Sequence, residues 1–300
     1  MKTRKDQFEY IALRFVTRIV HSLSPNTTVK VGRGFGRFVN TFIPIRKSVV
    51  LENLSNAFPE KSARELKLIA RQTFQNFGQT FFEFLRNPVR SKEETLSRVI
   101  IHNEDVLRNA HKAGKGILLI TGHFGNWELM GGLIAALELP IVVIARPQRN
   151  RLADTMINQF RQSAGIETVP LGMGVRSFLR SLRQNKIVAI LADQDAHRDG
   201  VFVDFMGRPS STAPGPAAIV LKTGAELVFV TSVLRPDGKY DAYFERIETK
   251  DVSGGTKENI QIITQRHASK LEEQVRRWPH HWFWMHRRWK TSPEKAQERK

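Results

Sequence analysis

The sequence has no cysteine in 300 residues. That absence excludes a disulfide framework, a thiolate nucleophile, and any zinc, iron–sulfur or haem site bound through cysteine, although it leaves the compartment undecided. A Gly-x-Ser-x-Gly nucleophile motif is also lacking, and no group of His and Asp residues has the spacing of metal ligands. We therefore expect neither a bound metal nor a serine nucleophile of this type.

A long uninterrupted apolar run is lacking as well. The apolar stretch from Phe8 to Leu23 contains Arg14, Arg18 and His21, and no small-residue cleavage site follows it. We therefore expect neither a cleaved signal peptide nor an ordinary spanning helix. Its apolar residues recur at helical spacing, which predicts an amphipathic helix, and residues 29–42 repeat the mixture. A core helix and a helix lying in a membrane surface fit this periodicity equally well, and the second such helix favours the membrane somewhat.

Acidic residues are few: 29 Asp and Glu stand against 47 Lys and Arg, which gives a net charge of +18. Residues 1–50 carry +8 of this charge and residues 276–300 carry +6, so the middle 225 residues keep only +4. A polyanionic partner is expected, either nucleic acid, an anionic membrane, or an acidic substrate or carrier protein. Most of the net positive charge therefore lies in the two end segments of the chain.

The arrangement of apolar residues predicts an α/β fold. Helical patterns cover residues 46–57 and 60–86, and beyond them short apolar runs alternate with helical segments. The runs cover 117–120, 141–145, 187–192 and 227–234, and the helical segments lie near 126–138, 150–164, 174–184 and 214–223. This alternation predicts a mainly parallel sheet flanked by helices. We expect a helical, membrane-associating region over 1–90, packed on an α/β core over 91–300.

The turn after the first of these strands, residues 121–128, carries a candidate catalytic histidine. His123 lies between two glycines where a parallel strand ends, which is where active sites of open α/β sheets gather. Asn126 is a suitable N-cap for the next helix, and Glu128 in its first turn is placed to orient His123 as an acid–base group. A structural histidine bonded to backbone fits the local pattern equally well. His267 and Glu272 are five positions apart, like His123 and Glu128. They fall inside a predicted helix, where the two side chains cannot meet, so we expect them on its solvated face.

Asp193 and Asp195 follow another apolar run, so we expect them at the same edge of the sheet as His123. They are suited to bind a metal, to hold His123 and basic groups, or to cap a turn, and the residues alone slightly favour the turn.

The segment 278–290 holds four of the five tryptophans beside several cations. A membrane–water interface is the first interpretation, internal packing the second, and stacking of single-stranded bases the third.

Taken in order, four motifs carry a resemblance to a known family. They are Gly122-His123-Phe124-Gly125-Asn126-Trp127-Glu128, then Arg146-Pro147, then Asp193-Gln194-Asp195 running into residues 202–209, and finally residues 284–290. The chain resembles the late acyltransferases of lipid A biosynthesis, the lauroyl and myristoyl transferases of the lysophospholipid acyltransferase superfamily. The resemblance implies a glycerolipid acyltransferase-like fold. It covers nearly the whole chain.

The resemblance implies transfer of a fatty acyl group from acyl carrier protein to a hydroxyl of a lipid A precursor. It places this reaction at the cytoplasmic face of an inner membrane, with no cofactor beyond the acyl-carrier or acyl-coenzyme A donor. His123 would be the general base and Glu128 would orient it. The expected partners are the carrier protein, an anionic lipid acceptor and the membrane surface. Substrate contacts are expected at Asn126, Arg146, Asp193, Asp195, Arg198, Arg208, Arg287 and Arg288.

A thioester is already activated, so its transfer needs a base and an oxyanion site but no covalent nucleophile, in agreement with the lack of cysteine. The amides that follow Asn126 are candidates for the oxyanion site. An acyltransferase with another acceptor, such as a lysophospholipid, a glycolipid or an aminolipid, fits the same residues. Nucleic-acid binding is not expected, because no RNP, helix-turn-helix or zinc-finger pattern occurs.

Overall fold

A computed structural model describes residues 3–172 and 175–297. Gly174, the first residue of the helix expected over 174–184, lies outside these ranges. So do four charged residues of the two basic ends, Lys2, Glu298, Arg299 and Lys300.

The first third of the chain is helical. Its elements are α1 (Arg4–His21), α2 (Pro25–Phe42), α3 (Lys47–Ala57), α4 (Ala63–Leu85), a 3-10 turn (Asn87–Val89) and α5 (Lys92–Ser97). Four of these helices have a Ser or Thr residue at the N-cap. Its hydroxyl oxygen accepts a hydrogen bond from an amide of the first turn, which has no partner inside the helix. These N-caps are Thr3, Ser24, Ser62 and Ser91.

Seven strands form the main sheet, in the order β1-β9-β8-β2-β5-β3-β4. They are β1 (Val99–His102), β2 (Ile117–Thr121), β3 (Ile141–Ala145), β4 (Glu167–Pro170), β5 (Ile187–Leu191), β8 (Glu226–Leu234) and β9 (Tyr240–Arg246). The five strands from β8 to β4 are parallel, whereas β9 is antiparallel to β8, and β1 pairs with β9. A separate hairpin consists of β6 (Val201–Phe205) and β7 (Arg208–Thr212).

Helices flank this sheet. They are α6 (Glu104–Lys112), α7 (Trp127–Ala136), α8 (Arg151–Ser163), α9 (Val175–Arg183), α10 (Gly215–Thr223), α11 (Lys257–Arg277) and α12 (Pro293–Gln297), with 3-10 turns at His197–Asp199 and Pro279–His281. The expected α/β class, with a mainly parallel sheet and an amphipathic helical N-terminal region, is confirmed. The apolar runs correctly located β2, β3, β5 and β8. Of the strands that escaped prediction, β1 and β4 lie at the sheet edges, where several residues stay partly exposed, so neither has a continuous buried apolar run.

Close packing of α2 on α4 depends on glycine. A Cβ atom added to Gly36 would lie 2.1 Å from the carbonyl oxygen of Phe74, and one added to Gly78 would lie 2.4 Å from that of Gly32. The two helix backbones therefore touch without intervening side chains. This contact turns the other side of α2 outward, where Val31, Phe35, Phe38 and Phe42 are exposed.

Helix α1 has two apolar faces. Leu13, Val16 and Val20 pack into a small core with residues of α4 and α8. On the opposite side, Phe8, Ile11, Phe15 and Ile19 are exposed, and Phe8 is 73% exposed. One side of α1 therefore packs on the protein, as expected for a core helix. The other side is exposed, as expected for a helix that lies in a membrane surface. In the part of the chain that the structure describes, no helix is both long and apolar enough to cross a membrane.

Candidate active site

The turn that carries His123 is shaped by glycine. Gly125 has φ +60°, and an added Cβ would lie 1.9 Å from the carbonyl oxygen of Ser232, so a larger residue does not fit. Its amide donates to the carbonyl of His281 at 2.9 Å. The turn is thus fixed between strand β8 and the C-terminal segment, and it presents His123 at the carboxyl edge of the sheet.

Asp193 holds His123. The Nδ1 atom of the imidazole lies 2.7 Å from Asp193 Oδ1, and the backbone amide of His123 donates to Oδ2 at 2.8 Å. The indole of Trp282 donates to the same Oδ2 at 2.8 Å. Because β2 and β5 are parallel neighbours, their carboxyl ends meet at one edge, as the sequence predicted. Of the three uses considered for Asp193, the structure has the one in which it holds His123.

The pairing with Asp193 sets the protonation of both groups. Burial lowers the pKa of His123, but the charge and hydrogen bond of Asp193 outweigh this effect, and the pKa is raised above its ordinary value. Burial alone raises the pKa of Asp193, whereas His123 and Trp282 stabilise its ionised form and bring the pKa down to about 2. An ionised Asp193 favours a hydrogen on Nδ1 of the neutral imidazole, which leaves the lone pair of Nε2 to act as a base.

Glu128 does not orient His123 by a hydrogen bond, so that expectation needs correction. Its carboxylate is paired with Arg161 of α8, which donates from Nη2 at 2.6 Å and from Nε at 3.1 Å. Glu128 lies in the first turn of α7, as predicted, but a sequence spacing does not specify which side chain faces the imidazole. Its charge still contributes to the raised pKa of His123, after the larger effects of burial and of Asp193.

Asn126 is the N-cap of α7, as predicted, and accepts from the amide of Leu129 at 3.0 Å. Its Nδ2 donates to the buried carboxylate of Glu83 at 3.0 Å, so the side chain is used within the protein and is not exposed to a substrate. Glu83 also accepts from Tyr240 at 2.5 Å and from Arg98 at 2.7 Å. Sequence reasoning missed this buried network. Its signal was a single Glu inside the Phe-rich end of α4, because a charge among buried aromatics requires partners.

Three half-buried aromatic rings surround the imidazole. The ring of Trp127 lies 5.1 Å from that of His123, and the ring of Phe283 lies 6.0 Å away. Phe77 stacks on Trp127 and packs at a tilt against Phe283. The side chain of His123 is 22% exposed. The base is therefore reachable from outside through an apolar, aromatic opening.

The tryptophan-rich segment 278–290 packs inside the protein. Trp282 and Trp284 are buried. Trp282 forms an isolated β-bridge with Phe124, in the turn that carries His123. The amide of Phe283 donates to the carbonyl of His123 at 2.9 Å. The membrane interface, ranked first for this segment, is thus wrong for these two residues, and the internal interpretation is right. The segment forms one wall of the site.

Asp195 also serves the interior. Its carboxylate accepts from the hydroxyl of Thr291 at 3.0 Å and from the amide of His197 at 3.2 Å, and its own amide donates to His286 at 3.0 Å. Asp195 therefore ties the loop after β5 to the C-terminal segment, as a turn-stabilising residue, and has no contact with His123.

The five arginines expected to bind substrate differ in how far they are exposed. Arg146, Arg198 and Arg287 are exposed at the surface. Arg208 is half-buried over the ring of Trp289, 5.2 Å from its centre. Arg288 is only 1% exposed and donates to the carbonyl of Ser211 and the hydroxyl of Thr212, so a surface contact with substrate is not possible for it.

The expectation for His267 was wrong. It is 4% exposed, because its side of α11 packs on the interior instead of facing solvent. Among the described residues, no group of three or more His, Asp and Glu side chains is placed to hold a metal ion.

A histidine that an ionised, buried carboxylate holds at the edge of a parallel sheet is an arrangement suited to acid–base chemistry. The profile of the bacterial lipid A biosynthesis acyltransferase family matches residues 4–291. The chain therefore belongs to this family and is an O-acyltransferase, as its motifs predicted.

The chain is similar to enzymes that are named for two kinds of acyl transfer. A lipid A biosynthesis palmitoleoyltransferase of Escherichia coli is 25% identical over 265 residues, which cover 88% of this chain and 85% of the relative. A lipid A biosynthesis lauroyltransferase of the same organism is 24% identical over 88% of this chain and 86% of the relative. A phosphatidylinositol mannoside acyltransferase of Mycolicibacterium smegmatis is 25% identical over 74% of this chain and 72% of the relative.

Proposed function

We propose that this protein transfers a fatty acyl group from the thioester of acyl carrier protein to a hydroxyl of a lipid A precursor, with His123 as general base. The observation that carries the proposal is the pair of His123 and Asp193, 2.7 Å apart, at the reachable edge of the sheet. Such a pair fixes the ring and leaves Nε2 available to take a proton.

The reaction follows from that geometry. Nε2 of His123 takes the proton of the acceptor hydroxyl while its oxygen forms a bond to the thioester carbon. Asp193 stabilises the imidazolium that results, because its charge raises the pKa of His123. The C–S bond then breaks, and the departing thiolate takes the proton back from Nε2. The products are an ester and a free thiol, with no group consumed.

The oxyanion of the tetrahedral intermediate needs hydrogen-bond donors. Asn126 caps the amide of Leu129, so the amides of Trp127 and Glu128 remain in the first turn of α7, where a helix has no internal partner for them. These amides begin four residues after His123 and lie at the positive end of the helix dipole. We assign them to the thioester carbonyl.

The outward apolar stripes of α1 and α2 support a place on a membrane. Exposed apolar patches of this kind mark contact surfaces, and Arg14, Arg18 and Arg37 on the same helices are exposed as well. Apolar rings in the acyl region with arginines at the phosphates describe an interfacial helix. We propose the cytoplasmic face of the inner membrane as the site of action.

A second acceptor class is favoured by one observation. The mycobacterial relatives act, by their names, on phosphatidylinositol mannoside, and they match this chain at the same level of identity as the lipid A enzymes. A glycolipid of that kind would use the same base and differ only in the acceptor pocket.

One assay tests the proposal. Purified full-length protein is incubated with labelled acyl carrier protein thioester, or acyl-coenzyme A, and with lipid A precursor, phosphatidylinositol mannoside or lysophospholipid as acceptor. We expect transfer from the carrier protein to the lipid A precursor, lowered by about 10²- to 10⁴-fold in His123→Ala, because a general base contributes that much. Wild-type turnover in His123→Ala would overturn the assignment of the base. If only another acceptor were acylated, that acceptor would replace the lipid A precursor as the proposed substrate.

A further inference from the structure

A small cavity lies inside the protein next to Asp193. Its volume is about 10 Å³, close to what one water molecule needs. Its polar lining residues come from five different segments and are Thr121, Asp193, Thr212, His267 and Arg288. A site that is both polar and of this size is one that water occupies, whereas purely apolar cavities stay dry.

Within residues 3–172 and 175–297, two of the lining residues have a buried nitrogen that finds no hydrogen-bond partner. They are His267, through Nε2, and Arg288, through Nε. The other nitrogens of the Arg288 guanidinium are occupied, since Nη1 donates to Ser211 at 2.7 Å and Nη2 to Thr212 at 2.5 Å. A buried polar group without a hydrogen bond destabilises the fold, so each of these nitrogens needs a partner.

Asp193 has the capacity for one more hydrogen bond. A carboxylate offers about four acceptor sites. The backbone of His123 and the indole of Trp282 occupy Oδ2, and the imidazole of His123 occupies one site of Oδ1. One acceptor site therefore remains on Oδ1.

Helix α11 brings His267 close to this carboxylate. Leu271, one turn after His267, lies so near the catalytic turn that a Cβ added to Gly122 would be 2.8 Å from its Cδ2 and 3.0 Å from Asp193 Oδ2. Burial, and then the charge of Arg288, lower the pKa of His267 to about 3, so its ring is neutral at working pH. A neutral ring has one nitrogen that accepts a hydrogen bond.

We propose that this cavity binds one internal water molecule that links His267 and Arg288 to Asp193, and that His267 is a positioning residue for the catalytic pair. The water accepts from Nε of Arg288 and donates to Nε2 of His267 and to Oδ1 of Asp193. All three groups are then satisfied, and the water makes the three bonds typical of a buried water. The catalytic role of this site rests on the proposed function of His123 as the base.

The water affects the base through the carboxylate. A hydrogen bond donated to Asp193 spreads its negative charge and makes it a weaker partner for the imidazolium. Losing that bond therefore raises the pKa of His123, and the acidic limb of the kcat/KM profile moves to higher pH. The other titratable or charged groups that interact with this pair are Glu128, His286 and Arg288, and Asp195 acts on His286 and Arg288 in turn. They are kept unchanged in the test.

Two variants of His267 separate positioning from packing. His267→Leu keeps the bulk of the side chain and removes the nitrogen, so we expect the acidic limb to shift upward and kcat/KM on that limb to fall severalfold. His267→Gln places an amide near the position of Nε2 and should restore the wild-type profile. An unshifted limb in His267→Leu, or an equal shift in both variants, would overturn the positioning role.

A measurement on the wild-type enzyme decides the water site whether or not His267→Leu folds. A crystal structure at high resolution should show density for one water within hydrogen-bond distance of His267 Nε2, Arg288 Nε and Asp193 Oδ1. Side-chain nitrogen NMR should find His267 neutral with its hydrogen on Nδ1. An empty cavity, or a hydrogen on Nε2, would contradict the proposal. These readouts need no acyl transfer, so failure of the proposed function would be seen separately.

Discussion

The two basic, aromatic ends of this chain look alike in sequence and differ completely in the structure. Helices α1 and α2 expose their phenylalanines, whereas the C-terminal segment 278–290 buries Trp282 and Trp284. Both ends carry arginine, and both are suited by composition to a membrane interface. Composition and charge alone therefore do not distinguish a surface that waits for a partner from one that is already covered.

The difference comes from periodicity and from hydrogen bonding. In α1 the apolar residues cover two opposite faces, and only one of them can be buried against the protein. The C-terminal segment has no long helix, and its indoles find acceptors inside, Trp282 on Asp193 and Trp284 on the carbonyl of Pro279 at 2.6 Å. A buried indole needs such an acceptor. The C-terminal end thus belongs to the active site, and the N-terminal end offers a contact surface.

The largest effect is expected where the C-terminal segment meets the catalytic pair. Asp193→Asn removes the charge that raises the pKa of His123 and leaves one acceptor oxygen, whereas the carboxylate uses one oxygen for the imidazole and the other for the His123 amide and Trp282. We expect activity to fall about 10²- to 10⁴-fold, the usual worth of a positioned base. Neutral imidazole is the active form and burial alone lowers the pKa of His123, so the acidic limb of kcat/KM moves to lower pH.

Glu128→Gln is the matched control for that experiment. It removes a carboxylate that pairs with Arg161 and acts on His123 only through its charge. A smaller loss of activity and a smaller shift in the same direction are expected. If Glu128→Gln lowered the activity and shifted the acidic limb as much as Asp193→Asn, Glu128 would have to be the partner of His123 during catalysis.

The next largest effect is expected in the free energy of unfolding, which a substitution at the C-terminal end should lower far more than one at the N-terminal end. Trp284 is fully buried, and Trp284→Ala should lower the free energy of unfolding by about 3–5 kcal/mol, as large-to-small changes in cores do. Phe8→Ala, at a residue that is 73% exposed, should change it by no more than about 0.5 kcal/mol. Denaturant unfolding of both variants checks this contrast, and similar losses would mean that the outward face of α1 is covered.

Membrane binding should show the reverse contrast. Replacing Phe8, Ile11 and Phe15 together by serine removes apolar surface worth roughly 1 kcal/mol for each partly inserted side chain. We expect partition onto anionic vesicles to weaken by about 100-fold, with the unfolding free energy unchanged. Gln7→Ser, at an exposed polar position of the same helix, is the control. Unchanged partition of the triple variant would locate the membrane contact elsewhere.

Much of the fold could be predicted from the sequence. Short runs such as 141–145 predicted β3 to the residue, because a strand buried on both faces is a continuous apolar run. The edge strand β4 and the strand β9, with its alternating burial, gave no such signal. At the site, His123 and the N-cap Asn126 could be predicted, since strand-end turns and helix caps are local features.

The partners of His123 could not be predicted in the same way. Asp193 is 70 residues from His123, and Trp282 is 89 residues from Asp193, so only the sheet order and the path of the last segment bring them together. Sequence proximity favoured Glu128, five positions away, but helix α7 carries it to Arg161 instead. The tertiary fold therefore decides which carboxylate pairs with His123.

The smallest effect, and the sharpest test of the C-terminal wall, is expected from Trp282→Phe. This change keeps an aromatic ring and removes one hydrogen bond to Oδ2 of Asp193. A bond to a charged group is worth about 1.5–3 kcal/mol, but Asp193 keeps both bonds from His123, so activity should fall tenfold or less. The carboxylate becomes a stronger partner for the imidazolium, and the acidic limb of kcat/KM should move to higher pH, opposite to Asp193→Asn. A shift to lower pH would mean that Trp282 acts on His123 by packing and not through the carboxylate.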